Sequence, residues 1–117
     1  MKRILVIEND VDYVETIELM YQNTNYEVIK SFEKLNINEI TEIDPHIIIL
    51  DHPDNDGAAA TFCRAIKAYP STKHIPLILC SENANIETFS KVCGADDYLL
   101  KPFDIYNFLK MVDNLVK

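Results

Sequence analysis

The chain has 117 residues and a formal net charge of −8, and hydrophobic residues make up 48% of it. This length suits one domain with one core, and the composition excludes a disordered chain. No apolar run approaches the roughly 20 residues that span a bilayer, and the N-terminal apolar stretch is too short for a signal peptide. We therefore expect a cytoplasmic protein that neither enters a membrane nor, being acidic, binds nucleic acid directly.

The cysteines do not form a recognisable pattern. There are three of them, and no two form a CxxC pair. This odd number argues against a disulfide framework, and the spacing argues against a zinc site. Since each lies within an apolar pattern, we expect all three to be small buried side chains: Cys63, Cys80 and Cys93.

Strand and helix patterns alternate along the whole chain. Short apolar runs rich in β-branched residues are typical of strands buried on both faces of a parallel sheet, and apolar residues at three- and four-residue steps predict helices. In chain order we predict a strand at 4–7, a helix at 11–21, a weaker strand at 26–30, a short helix within 36–43, a strand at 47–50, a helix at 59–66, a strand at 77–80, a helix at 86–93, a weaker strand at 97–100 and a helix from 105 to 115 or 116.

This order predicts an α/β fold, a doubly wound five-stranded parallel sheet in a (βα)5 three-layer sandwich. The functional crevice of such a fold lies at the carboxyl ends of the strands. Carboxylates, one hydroxyl and one ammonium follow the predicted strands: Glu8, Asn9 and Asp10 after the first, Asp51, Asp54 and Asp56 after the third, Ser81 after the fourth and Lys101 after the fifth.

Crowded oxygen ligands of this kind favour a hard divalent cation, most plausibly Mg²⁺. A carboxylate beside such a cation can act as a nucleophile towards phosphorus. Lys101 would then help to neutralise the phosphoryl oxygens, and the Ser81 hydroxyl would donate a hydrogen bond to one of them. Sites that cradle nucleotide phosphates use glycine-rich loops. This chain has two glycines and no GxGxxG, which argues against a nucleotide or flavin site.

Five segments of the chain also form a family pattern: Glu8-Asn9-Asp10, residues 46–51, Asp56-Gly57, residues 75–81 and, most specifically, GADDYLLKPF at 94–103. In order and spacing these segments resemble the receiver domains of bacterial response regulators, of the chemotaxis-regulator type. The resemblance covers nearly the whole chain and implies a flavodoxin-like fold for a single domain over residues 1–117.

The resemblance implies that Asp51 accepts a phosphoryl group, that Ser81 and Lys101 contact this group, and that the Lys101–Pro102 bond is cis. It also implies a magnesium site formed by five residues: Glu8, Asn9, Asp10, Asp51 and, through its backbone carbonyl, Pro53.

The resemblance further implies a switch rather than a turnover enzyme. A histidine kinase or a phosphotransfer protein would donate the phosphoryl group. Ser81 would move towards it, and Tyr98 would turn inward into the vacated space. This would reshape the face formed by the fourth helix, fifth strand and fifth helix, where a downstream output protein or domain docks. The chain could be a stand-alone regulator or the first domain of a longer protein.

Three departures from the family pattern motivate an alternative. Asn9 replaces an aspartate that usually ligates the metal, and an amide oxygen brings no charge; Asp10 is the neighbour that could partly substitute. The loop after Asp51 is two residues shorter than usual, and Glu82 stands where a small residue is common. The alternative is a degenerate receiver, a protein-interaction module that works without phosphorylation. Simpler roles also remain open: a turn cap for Asp51, a helix cap for Ser81 and a static aromatic for Tyr98.

Overall fold

The computed structural model describes residues 1–33, 35–51 and 57–116. Within these ranges, five strands and five helices alternate, as predicted. They are β1 (Lys2–Ile7), α1 (Val11–Met20), β2 (Tyr26–Ser31), α2 (Ile37–Ile43), β3 (Ile47–Asp51), α3 (Gly57–Ala68), β4 (Leu77–Ser81), α4 (Ile86–Cys93), β5 (Asp97–Leu100) and α5 (Ile105–Val116).

The strands form one parallel sheet in the order β2-β1-β3-β4-β5. This confirms the predicted doubly wound, flavodoxin-like fold, with the chain running outwards from β1 to one edge and then back across to the other. The register sets the ends of neighbouring strands side by side: Ile7 pairs with Leu50, Asp51 with Cys80, and Ser81 with Leu100. The predicted site residues at these strand ends that the structure describes therefore lie at one edge of the sheet: Glu8, Asn9, Asp51, Ser81 and Lys101.

The core lies on both faces of the sheet, which explains why the strands β1, β3 and β4 are apolar without interruption. On one face, alternate strand residues pack against α1 and α5, where Ile17 and Phe108 are buried. On the other face, the intervening strand residues pack against α2, α3 and α4. Each fully buried Ile, Leu or Phe stabilises the fold by about 1.5–3 kcal/mol relative to an exposed one.

Polar contacts define the ends of several elements. Asp10 caps α1, since its carboxylate accepts a hydrogen bond from the backbone N–H of Asp12 at 3.0 Å. Asn36 and Glu39 form a reciprocal capping box on α2. Helix α4 ends at Gly94, which has a φ of 81° and so adopts a left-handed conformation that glycine tolerates best.

The three cysteines are free and buried, which confirms their predicted role as small core side chains. In the part of the chain that the structure describes, no helix is long and apolar enough to cross a membrane.

Candidate functional site

A buried ion triad lies at the carboxyl ends of β1, β3 and β5. The Lys101 ammonium donates hydrogen bonds to Glu8 Oε2 and to Asp51 Oδ1, each at 2.8 Å. The side chains of Lys101 and Glu8 are 6% and 5% exposed, and that of Asp51 is 17% exposed. Of the three, Asp51 is therefore the one most open to an incoming group.

The triad shifts the ionisation of two of its members. Burial raises the pKa of Glu8 above its usual value of 4.5, although its hydrogen bond and ion pair with Lys101 oppose this rise. Burial alone would lower the pKa of Lys101, but its hydrogen bonds to Asp51 and Glu8 outweigh burial and raise it. Lys101 therefore stays a cation at neutral pH, and it is the charge that holds the two carboxylates together.

An aromatic side chain closes one side of the triad. The Lys101 ammonium lies 4.4 Å from the centre of the Tyr13 ring, within the range of a cation–π interaction. Tyr13 packs in turn against Phe103 at 5.6 Å between ring centres, and Phe103 stacks on the buried Phe108 at 5.2 Å. Tyr13 is thus held in place by the core between α1 and α5.

The three residues of the acidic turn after β1, Glu8, Asn9 and Asp10, make different contacts. Glu8 points into the triad, and its second oxygen, Oε1, accepts a hydrogen bond from the Asp10 N–H at 3.1 Å. Asn9 is exposed and lines a pocket of about 50 Å³ together with Glu8 and Asp51. Asp10 is also exposed, and its carboxylate caps α1. The structure therefore brings Glu8 and Asn9 to the pocket and engages Asp10 elsewhere.

Ser81 lies beside the triad at the end of β4 and is fully buried. Its hydroxyl oxygen accepts a hydrogen bond from the Asn83 N–H at 3.0 Å, and its carbonyl accepts one from the Lys101 N–H at 2.7 Å. The cap of α4 is Asn85, so the Ser81 hydroxyl stabilises the turn that precedes the helix. The Ser81–Lys101 backbone bond fixes the end of β5 against β4, and with it the base of the lysine side chain.

Tyr98 is half-buried on β5 and packs against the core cluster on the α3–α4 side of the sheet. It also lines an open groove of about 680 Å³ that runs along β5 and α5. The Lys101–Pro102 peptide bond is cis, as predicted.

Comparisons with known proteins identify the family. The family model described as the response regulator receiver domain matches residues 4–113. The chain belongs to the response regulator receiver domain family. Receiver domains of this family are signalling modules of two-component systems, in which response regulators interact with histidine kinases and output domains.

Individual relatives agree with this assignment. The receiver domain is 33% identical to the response regulator ArlR of Staphylococcus epidermidis over 96% of this chain and 51% of that protein. It shares its fold with the chemotaxis protein CheY4 of Vibrio cholerae (TM-score 0.82, 19% identity, 98% of each chain). The chain also shares its fold with the receiver domain of a Pseudomonas aeruginosa sensor histidine kinase (TM-score 0.73, 22% identity, 98% of this chain and 97% of that one). The structure of that receiver domain has a magnesium ion in the active-site cleft. The chain spans about half the length of the curated relatives it matches.

Five of the predicted residues of the receiver site lie together. Glu8, Asn9, Asp51, Ser81 and Lys101 converge at one edge of the sheet, as expected from the parallel strands. The predicted site residues of the loop after β3, Pro53 with Asp54 and Asp56, lie outside the described residues. Among the residues that the structure does describe, no three His, Cys, Asp or Glu side chains are grouped closely enough to hold a metal.

Tyr13 is the site residue that the sequence analysis missed. Its place on α1, one turn after the Asp10 cap and one turn before the buried Ile17, was the available signal. The first turn of α1 follows the carboxyl end of β1, so an aromatic residue there lies near the edge of the sheet where the strands end. Only the tertiary structure shows that its ring faces Lys101 rather than solvent.

Proposed function

We propose that this receiver domain, formed by residues 1–117, accepts a phosphoryl group on Asp51 from the phosphohistidine of a histidine kinase or phosphotransfer protein. An oxygen of Asp51 attacks phosphorus, a P–O bond forms, the P–N bond to histidine breaks, and the imidazole leaves with its electron pair. The observation that carries the proposal is the hydrogen bond from Lys101 to Asp51 Oδ1 at the end of the central strand β3.

The contacts of Asp51 support a nucleophilic role. Lys101 holds only one of its two carboxylate oxygens, so the other is the one we expect to attack. The same ammonium lies where it can neutralise negative charge that arrives on the phosphoryl oxygens. The Ser81 oxygen accepts from Asn83, and the hydroxyl also carries a proton that it would donate to a phosphoryl oxygen. These two donors lie at the ends of the neighbouring strands β4 and β5, and both would stabilise the negative charge.

We propose Mg²⁺ as the cofactor, because the donors at the pocket are hard oxygen ligands. Glu8, Asp51 and the Asn9 amide would hold the ion, with the Pro53 carbonyl as a further expected ligand, and the ion would supply charge neutralisation during transfer. The cap of α1 uses Asp10 Oδ1, so Asp10 would take part through its other carboxylate oxygen. The magnesium ion in the cleft of the Pseudomonas aeruginosa receiver domain supports the same choice.

We further propose that phosphorylation is read on the face formed by α4, β5 and α5, through Ser81 and Tyr98. Tyr98 bridges the core and the groove beside α5, so a change in its packing would reach the surface. Leu100, Ile105 and Tyr106 add exposed apolar area near this groove, as expected of a docking face. The reader would be a downstream output protein or domain, and the location cytoplasmic.

A degenerate receiver that binds its partner without phosphorylation is the second candidate. Two observations favour it: the uncharged Asn9 at the pocket, and the triad in which the Lys101 ammonium is already paired with both carboxylates. In that case the domain would show no Mg²⁺-dependent chemistry, and its docking face would be fixed.

Intact-protein mass spectrometry after incubation with acetyl phosphate separates the two candidates. We expect one phosphoryl group to be added to the wild type with Mg²⁺ and none to Asp51→Ala. The matched control is Asp12→Ala, an exposed aspartate on α1 that should be modified like the wild type. If no group is added at any Mg²⁺ concentration, either with this donor or with a phosphorylated histidine phosphotransfer protein, the phosphoryl-accepting role is refuted and the degenerate receiver is favoured.

A further inference from the structure

The environment of the Lys101 ammonium consists of two kinds of partner. Glu8 and Asp51 are charged, and each accepts a hydrogen bond at 2.8 Å. The Tyr13 ring is neutral and presents its face at 4.4 Å. An aromatic face attracts a cation through its quadrupole, and this attraction strengthens where water is excluded.

The two carboxylates are contacts that phosphoryl transfer itself disturbs. This part of the inference rests on the proposed function. Transfer to Asp51 turns its carboxylate into an acyl phosphate, so the oxygen that Lys101 contacts becomes a neutral carbonyl oxygen. Any divalent cation at the pocket also competes with the ammonium for oxygens of Glu8 and Asp51 and repels it. The contact with Tyr13 is the one that neither event removes.

The position of Tyr13 is determined independently of the triad. Its ring contacts Phe103, which follows Lys101 by two residues and stacks on the buried Phe108. The backbone of Lys101 is fixed separately by its hydrogen bond to the Ser81 carbonyl. The ring and the Lys101 backbone are therefore both anchored to the core, so the ring would stay within reach of the ammonium when the charges around it change.

We propose that Tyr13 is a positioning residue that holds the Lys101 ammonium at the site through its ring face. The ring face makes the contact with the ammonium, and the phenol hydroxyl is not needed for it. The substitutions Tyr13→Phe and Tyr13→Leu separate these features, because phenylalanine keeps the ring and leucine keeps only apolar volume.

The first measurement reads the position of Lys101 without any phosphoryl chemistry. In the metal-free protein, NMR spectra of lysine side chains should show upfield ring-current shifts for the Lys101 ε-protons in the wild type and in Tyr13→Phe. These shifts should be lost in Tyr13→Leu. Tyr106→Leu is the matched control, since Tyr106 is 82% exposed on α5 and should leave the Lys101 signals unchanged. Persistence of the shifts in Tyr13→Leu would overturn the proposal.

The second measurement is the rate of phosphorylation by acetyl phosphate. We expect Tyr13→Leu to slow it about three- to ten-fold, the range of a cation–π contact at a partly desolvated site, and Tyr13→Phe to stay within about two-fold of the wild type. Equal rates for leucine and phenylalanine would overturn the positioning role. If the wild type is not phosphorylated at all, the proposed function fails, and the NMR result alone decides whether Tyr13 holds Lys101.

Discussion

Replacing Lys101 by methionine tests whether the ion triad is held together by a single ammonium. Methionine keeps an unbranched apolar stem and removes the charge. The carboxylates of Glu8 and Asp51 are then left as neighbouring like charges, one of them 5% exposed. Removing one partner of a buried pair costs about 3–5 kcal/mol. Because Asp51 is partly open to water, we expect a loss of about 2–3 kcal/mol in the free energy of unfolding at pH 8.

This loss should shrink as the solution is acidified. Burial already raises the pKa of Glu8 in the folded wild type above its usual value of 4.5, and without the ammonium the pKa rises further. Between the unfolded and folded pKa values, the folded variant binds more protons than the unfolded chain. Its stability relative to the wild type therefore increases as pH falls through the folded pKa of Glu8.

Urea unfolding followed by circular dichroism at pH 8 and pH 5 measures both effects. Lys110→Met, an exposed lysine on α5, is the matched control and should change stability by less than about 0.5 kcal/mol at either pH. A Lys101→Met loss as small as that of the control, or a loss that grows on acidification, would refute the idea that Lys101 is the charge that offsets the burial of Glu8.

Two further predictions follow from single positions. Asn9→Asp should tighten Mg²⁺ binding by about ten-fold in isothermal titration calorimetry, because it adds a charge at the pocket, and an unchanged affinity would mean that residue 9 does not contact the ion. Gly94→Ala should lower the free energy of unfolding by about 1 kcal/mol in urea titrations, because a φ of 81° strains an alanine. The added methyl group would lie 3.7 Å from Lys67 Cβ, which is an ordinary contact, so a loss below about 0.3 kcal/mol would contradict the backbone argument.

The fold and the outline of the site could be predicted because both depend on patterns that are local in sequence. Uninterrupted apolar runs at β1, β3 and β4 indicate strands covered on both faces, and their alternation with helical patterns indicates a parallel sheet. Parallel strands bring their carboxyl ends to one edge, so Glu8, Asp51 and Lys101 had to converge although up to 93 residues separate them along the chain.

The remaining features depend on side-chain direction, which sequence patterns do not fix. Asp10 was predicted as a further metal ligand. It is the residue before α1, where one of its carboxylate oxygens accepts a hydrogen bond from a helix N–H. An aspartate immediately before a helical pattern is a recognised capping signal, and it competes with the role of ligand. The contact between Tyr13 and Lys101 depends on the rotation of α1 about its axis and on the rotamers of both side chains, so it needed the tertiary structure.

The ion triad also gives a physical meaning to the replacement at position 9. Glu8 and Asp51 carry two negative charges and Lys101 carries one positive charge, so the triad has a net charge of −1. An aspartate at position 9 would bring the net charge to −2 and leave a further carboxylate for a cation to neutralise. With Asn9 this extra charge is absent, and a single ammonium offsets most of the repulsion. We therefore expect the metal-free state to be favoured here, so that cation binding becomes strong only when the negative charge of a phosphoryl group is added.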